Sequence, residues 1–223
     1  DEMLSFGFKD QIHNILNCLD PKVQIALFSA TLQRDIIEIT QQFMKEPETI
    51  RIEAEKLNLE CIQQYYIAMR NDGDKYDTLK DLFSSITVSQ CIIYCNSVKR
   101  VADLHSAMNE EGFAVGCIHS SMTKTERHDE FMKFKQGAYR VLISSNIAAR
   151  GIDIQQVSVV INFDIAKDPH TYLHRIGRSG RWGRKGMAIN FVTPHDINKM
   201  RKLEQYYNIS INELPATIPT DLG

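Results

Sequence analysis

Residues 90–97 read Gln90-Cys91-Ile92-Ile93-Tyr94-Cys95-Asn96-Ser97, and this stretch decides the fold. Cys91 to Cys95 are apolar at every position rather than at alternate ones, the pattern of a strand buried on both faces. Asn96 and Ser97 end the run, and Ser97 is an N-cap for a helix in which Val101, Leu104 and Met108 recur at helical spacing before Gly112 stops it. Toward the carboxyl terminus the same unit repeats. Strands are expected over 113–118, 140–144, 158–163 and 187–192. Between them, Thr123 with Glu126 forms a capping box for a helix carrying Phe131 and Phe134 and ending at Gly137. Asp168-Pro169 supplies an N-cap with proline at the first helical position, and Thr193-Pro194 repeats the device for a last helix. Doubly buried strands alternating with amphipathic helices define an α/β class with a parallel sheet covered on both faces. In such sheets ligands sit outside the carboxyl ends of the strands. Three polar clusters fall there: Asn96-Ser97, His119-Ser120-Ser121-Met122 and Ser145-Asn146.

Toward the amino terminus the pattern is weaker. A helix is expected over 8–19, a strand over 23–28 ending at Ser29-Ala30-Thr31, a helix over 36–44 and a short strand at 50–52. Two strands and two helices cannot bury a core of their own. Residues 1–52 are therefore read as the end of a truncated domain, 53–60 as a linker, and 61–223 as the main domain.

Hydrophobic residues make up 43% of the 223 and charged residues 24%, the balance of a soluble globular protein. No apolar run approaches the roughly 20 residues that cross a bilayer. The opening Asp1-Glu2-Met3-Leu4 is acidic where a signal peptide is basic, so a cytoplasmic setting is expected, with a nuclear one as the alternative. Five cysteines without a second closely spaced pair read as reduced thiols rather than disulfides or a zinc site. The net charge of −2 gives no global field for nucleic acid, yet residues 174–185 hold four arginines, one lysine and no acid.

That local cluster is the sharpest signal for chemistry. Arg175, Arg178 and Arg181 recur every three residues with Gly177, Gly180 and Gly183 among them. Guanidinium forks match phosphate oxygens, and glycine allows close backbone approach; a basic surface loop is the plainer reading. Arg150-Gly151-Ile152-Asp153 could offer a carboxylate to ribose hydroxyls or be a plain turn, and Thr31 could equally be a helix cap. His170 and His174 are four apart but lack a third ligand, so no metal site is expected. Asp72-Gly73-Asp74 reads as a turn. No Gly-Lys dipeptide occurs, which excludes the phosphate-binding loop Gly-x-x-x-x-Gly-Lys-Ser/Thr, and the dinucleotide fingerprint is missing too. Arginines suited to outer phosphates, without the loop that cradles them, suggest half of a two-domain site.

In order along the chain, these residues resemble the DEAD-box RNA helicases, most closely the translation initiation factor 4A family with its exon-junction relative. Asp1 looks like the last residue of the Asp-Glu-Ala-Asp motif. Ser29-Ala30-Thr31 is similar to the motif that couples hydrolysis to unwinding, Ile93 to Ser97 to the fourth motif, Arg150 to Asp153 to the fifth, and His174 to Arg181 to the sixth. The resemblance implies an ATP site between two RecA-like domains, with Mg²⁺ held by the domain upstream. It implies Arg178 and Arg181 as catalytic arginine fingers on the γ-phosphate, a role worth about 10³ to 10⁵ in rate. Gly151 and Asp153 would meet ribose and phosphates. Ser29, Ala30, Thr31, His174 and Arg175 would couple the cleft to RNA. An RNA backbone read with little sequence preference would cross Asn96, Ser97, Arg100, Arg127, Ser145 and Asn146. A helical-repeat scaffold protein is an implied partner. The chain departs from the pattern at Ser120 and Ser121, where Gly-Asp is usual, and at Asn146, where Asp is usual. Taken alone it is expected to hydrolyse ATP negligibly; a non-catalytic RNA- or scaffold-binding module is the alternative.

Overall fold

Residues 90–94 of that stretch become an interior strand of a seven-stranded parallel sheet formed by the described residues. The computed structural model describes residues 4, 8–20, 22–29, 34–50, 59, 61–86, 89–146, 157–180 and 185–216, with 34–36 in backbone only. The chain divides into two compact units, 1–52 and 53–223.

The larger unit is built from β1 (Ile62–Ala68), α3 (Lys75–Ser85), β2 (Gln90–Tyr94), α4 (Val98–Glu110), β3 (Val115–Ile118), α5 (Lys124–Lys135), β4 (Val141–Ser144), β5 (Val157–Asn162), α6 (Pro169–Ile176), β6 (Gly186–Val192), α7 (Ile197–Tyr207) and β7 (Asn212–Glu213). The strands lie in the order β3-β4-β2-β5-β6-β1-β7, every pairing parallel. Alternate residues of β2 feed opposite faces. Cys91 and Ile93 join Leu79, Leu82, Val101, Leu104 and Met108 of α3 and α4, while Ile92 and Tyr94 join Phe134 of α5. A third cluster packs Tyr172 and Ile176 of α6 against Met200, Leu203 and Tyr207 of α7. Helices thus cover both faces, as the doubly apolar strands required.

Local signals act where the chain places them. Ser97 Oγ accepts from Arg100 N at 3.2 Å, and Asp168 accepts from Thr171 N at 2.8 Å ahead of Pro169. Thr123 and Glu126 close a reciprocal capping box, a device worth about 1 kcal/mol. One start differs from expectation. Thr193-Pro194 does not open α7; Thr193 Oγ1 donates to Asp196 Oδ2 at 2.7 Å and ties a turn that delays the helix to Ile197. Sequence reading also passed over β1, α3 and β7. Gln63 and Gln64 interrupt β1's apolar pattern, but Gln64 Oε1 is buried as the acceptor of Tyr172 Oη at 2.8 Å.

In the smaller unit α1 (Lys9–Asn17) and α2 (Arg34–Phe43) correspond to the two expected helices. The expected strands are corrected: residues 23–29 and Ile50 lie in no strand, and 51 and 52 fall outside the described residues. A strand needs a ladder partner for its backbone groups, and none exists for this segment among the described residues. Phe28 is 94% exposed accordingly.

At the start of β6, a Cβ added to Gly186 would sit 2.3 Å from the backbone nitrogen of Gly180. No rotamer change relieves a backbone clash. Gly186→Ala should cost about 2–3 kcal/mol and lower the melting temperature by roughly 5–10 °C, read by calorimetry on the chain.

Candidate functional site

From β2 the chain leaves through α4 to β3, and from the adjacent β5 it leaves through α6 to β6 on the other side. This divergence opens a crevice beyond the carboxyl ends of β2 and β5, the position at which parallel sheets bind ligands.

Arg175 of α6 fills the base of that crevice. It is 0% exposed, and all five guanidinium donors are engaged. Nη1 donates to the main-chain oxygen of Asp164 at 2.8 Å and to Asn162 Oδ1 at 3.1 Å. Nη2 donates to Asn96 Oδ1 at 2.7 Å and to Asn146 Oδ1, which also accepts from Nε at 3.0 Å. The ring of Tyr94 lies 5.2 Å from Cζ. Burial holds the guanidinium pKa down to about 10, so the group remains charged at neutral pH. Asn162 passes the network on: its Nδ2 donates to Asn190 Oδ1 at 2.8 Å, and Asn190 Nδ2 donates to Tyr65 O at 2.9 Å. Arg175 therefore clamps the ends of β2, β4 and β5 and has no donor left for a phosphate, unlike the equivalent role its spacing with Arg178 suggested.

A second charged network stands beside it. Lys75 Nζ, buried, lies 2.9 Å from Asp164 Oδ1 and 2.8 Å from Asp72 Oδ1. Arg100 Nη2 contacts Asp72 Oδ2 at 2.5 Å, and its Nε pairs with Asp164 Oδ1 at 3.2 Å. Asp164 Oδ2 accepts from Asn96 N at 3.0 Å. Burial alone would raise the Asp72 pKa; hydrogen bonds from Lys75 and Arg100 more than offset it and hold the carboxyl below its usual range. These residues line part of an open cavity of about 550 Å³ that also includes Asn96, Ser97 and His195. Neither Lys75 nor Asp164 was singled out from sequence. The usable signal for the polar centre was an Asn inside each of two apolar strands, Asn162 and Asn190, since a buried amide demands partners.

The residues expected to meet RNA occupy one region of the sheet edge. Asn96, Ser97 and Arg100 follow β2, Arg127 lies in α5 after β3, and Ser145 and Asn146 follow β4; these three strands are neighbours in the sheet. Their exposure differs. Ser97 and Asn146 are exposed, Arg127 is partly exposed, and Asn96 is turned inward, its Nδ2 donating to Ile165 O at 2.9 Å. The Nδ1 of His119, between them, is buried without a hydrogen-bond partner among the described residues.

Past the end of α6 the arginine run folds back on the sheet. Arg178 Nε donates to His174 O at 3.1 Å, which anchors the near end of its fork. Ser179 is buried with Oγ on Ile176 O at 2.9 Å. Gly180 takes φ +67°, and a Cβ there would meet Ile62 Cγ1 at 2.8 Å, so only glycine fits. Ser29 is partly buried in the smaller unit. Ala30, Thr31, Gly151, Asp153 and Arg181 lie outside the described residues.

An all-parallel sheet with helices on both faces and polar clusters at its carboxyl edge makes the larger unit a RecA-like α/β domain. Residues 74–183 match the model of the helicase conserved C-terminal domain. The eIF4A ATP-dependent RNA helicase of Kluyveromyces lactis is 48% identical over 218 residues, 98% of this chain and 55% of the relative. S. cerevisiae Dbp5 bound to RNA and ADP BeF3 superposes with TM-score 0.87 at 33% identity, covering 95% of this chain and 56% of that one. The C-terminal domain of the DEAD-box protein Dbp5 matches at 37% identity and TM-score 0.66, covering 71% of this chain and 92% of that structure. The chain belongs to the DEAD-box helicase family, on its eIF4A branch. It spans about half the length of the curated relatives it matches.

Proposed function

We propose that this chain is the second RecA-like half of an ATP-dependent RNA helicase, preceded in residues 1–52 by the end of the first. The supporting observation is the convergence of β2, β4 and β5 on Arg175, which fixes the RNA-facing residues and the arginine run in one rigid piece. The run suits a terminal phosphate, being cationic, free of carboxylates from 174 to 185, and anchored at Arg178 Nε. In this reading Arg178 and Arg181 approach the γ-phosphate, Gly151 and Asp153 meet the ribose and phosphates, and the Mg²⁺ ligands belong to the partner domain. Bound ATP supplies the phosphoryl bond whose hydrolysis resets the closed state. Ser97, Arg127, Ser145 and Asn146 hold the RNA backbone, with Asn96 and Arg100 behind them. Ser29-Ala30-Thr31 with His174 and Arg175 transmits closure between the sites. A helical-repeat scaffold is the expected protein partner, and the cytoplasm the expected setting.

The test is complementation. The chain alone should hydrolyse ATP at no more than background. Adding the first RecA-like domain of an eIF4A relative should restore RNA-stimulated hydrolysis, measured as phosphate release. Robust turnover by the pure chain, or none in the mixture, would overturn the enzyme reading, and RNA binding without turnover in the mixture would favour a non-catalytic module.

A further inference from the structure

We propose that the groove between the start of α6 and one face of α7 docks a short acidic segment of a partner protein, with a single aliphatic side chain among its carboxylates. The inference needs neither the RNA path nor the arginine run. The groove is an open cavity of about 470 Å³, within the size range of ligand sites. Lys199, Lys202 and Tyr206 follow one another at i, i+3 and i+7, so they share one face of α7. Lys167, just ahead of α6, lines the same cavity, and the buried Ala166 and Leu203 supply apolar surface.

Charge decides what fits. Three lysines line the cavity against one carboxylate, that of Asp168. Both Asp168 oxygens are committed to capping α6, accepting from Thr171 N at 2.8 Å and Thr171 Oγ1 at 2.7 Å. Lys199 has Asp196 at 3.0 Å. Lys167 and Lys202 are exposed and have no partner among the described residues. Two unpaired ammoniums beside apolar surface call for a ligand that is anionic and aliphatic at once. Aspartate or glutamate flanking a leucine meets both demands. An RNA backbone would satisfy the lysines but offers nothing aliphatic to Ala166 and Leu203, and no arginine fork for phosphate is among the described lining residues. The walls are tied together beforehand. Tyr207 Oη donates to Pro169 O at 2.8 Å, and the rings of Tyr206 and His170 meet edge-on at 5.8 Å. Little ordering is therefore lost when a peptide enters.

The experiment uses the full chain and a fluorescein-labelled peptide Glu-Asp-Leu-Glu-Asp, with binding read by anisotropy. Lys167→Glu/Lys202→Glu should weaken binding about tenfold or more, and the neutral pair Lys167→Gln/Lys202→Gln should fall between it and wild type. Serine in place of the peptide's leucine should weaken binding about fivefold. Arg201→Glu, at an exposed residue of α7 outside the cavity lining, should stay within twofold. Melting temperatures of all three variants should stay within about 2 °C of wild type, since the altered side chains are exposed. No binding by the wild-type chain, an equal loss in Arg201→Glu, or indifference to the leucine would overturn the inference. A labelled uridine 12-mer that loses as much affinity as the peptide in the glutamate pair would assign the lysines to RNA and overturn it too.

Discussion

Arg175→Ala should destabilise the larger unit by about 3–5 kcal/mol and lower its melting temperature by roughly 10 °C or more. Truncation leaves four acceptors without donors at once: the buried Asn162 side chain and Asp164 carbonyl, the partly buried Asn96 and the more exposed Asn146. It also opens a void the size of the largest fully buried side chain among the described residues. The three strand ends that the guanidinium holds belong to non-adjacent parts of the sequence, so no local contact takes over. Arg175→Lys keeps the charge but offers three donors from one point instead of five from a plane, and should recover less than half of the loss. Denaturant unfolding followed by circular dichroism checks both variants. A loss below about 1 kcal/mol for Arg175→Ala, the scale of a single ordinary hydrogen bond, would contradict the clamp.

Arg178→Ala should act on turnover and leave the fold in place. In the mixture with a first RecA-like domain, RNA-stimulated ATP hydrolysis should fall by about 10³-fold or more, with melting temperature within about 2 °C of wild type. Arg178 is partly exposed beyond the helix end, and Arg175 is wholly enclosed. The reduction should appear in kcat more than in KM, because in the proposed role the fork would meet charge that develops during phosphoryl transfer. Arg178→Lys should rescue little, since a point charge does not replace a bidentate fork. An equal loss of stability and rate would place Arg178 with Arg175 as a structural residue.

The contrast between these arginines shows how far sequence reading reached. Apolar runs such as Cys91 to Cys95 and 187–192 specified doubly buried parallel strands because burial on both faces removes alternation, a property visible without a structure. Caps at Ser97, Thr123 and Asp168 were legible because they satisfy backbone groups within four residues. Thr193 misled because a threonine can tie a turn as readily as a helix start. β1 was passed over because Gln64 finds its partner in Tyr172, more than a hundred residues away, and no local pattern carries that partner. For the same reason period-three spacing could not separate Arg175 from Arg178. The spacing counts residues; which side of a helix end faces the interior is decided by what the rest of the chain brings there.

The arginine run is fastened at two distant places, and this bears on how the domain would work. Arg175 is locked into the strand ends, and five residues later Gly180 is pressed against Ile62 and the carbonyl of Cys61, where β1 begins. Arg178 lies between these fixtures like the keystone of a short span. Its aim is thereby set before any ligand arrives, and little ordering entropy is lost when a phosphate is met. The same geometry makes the aim hostage to remote masonry: a bulkier side chain at Ile62, which touches no ligand, would tilt the far abutment and blunt the arginine without moving the near one.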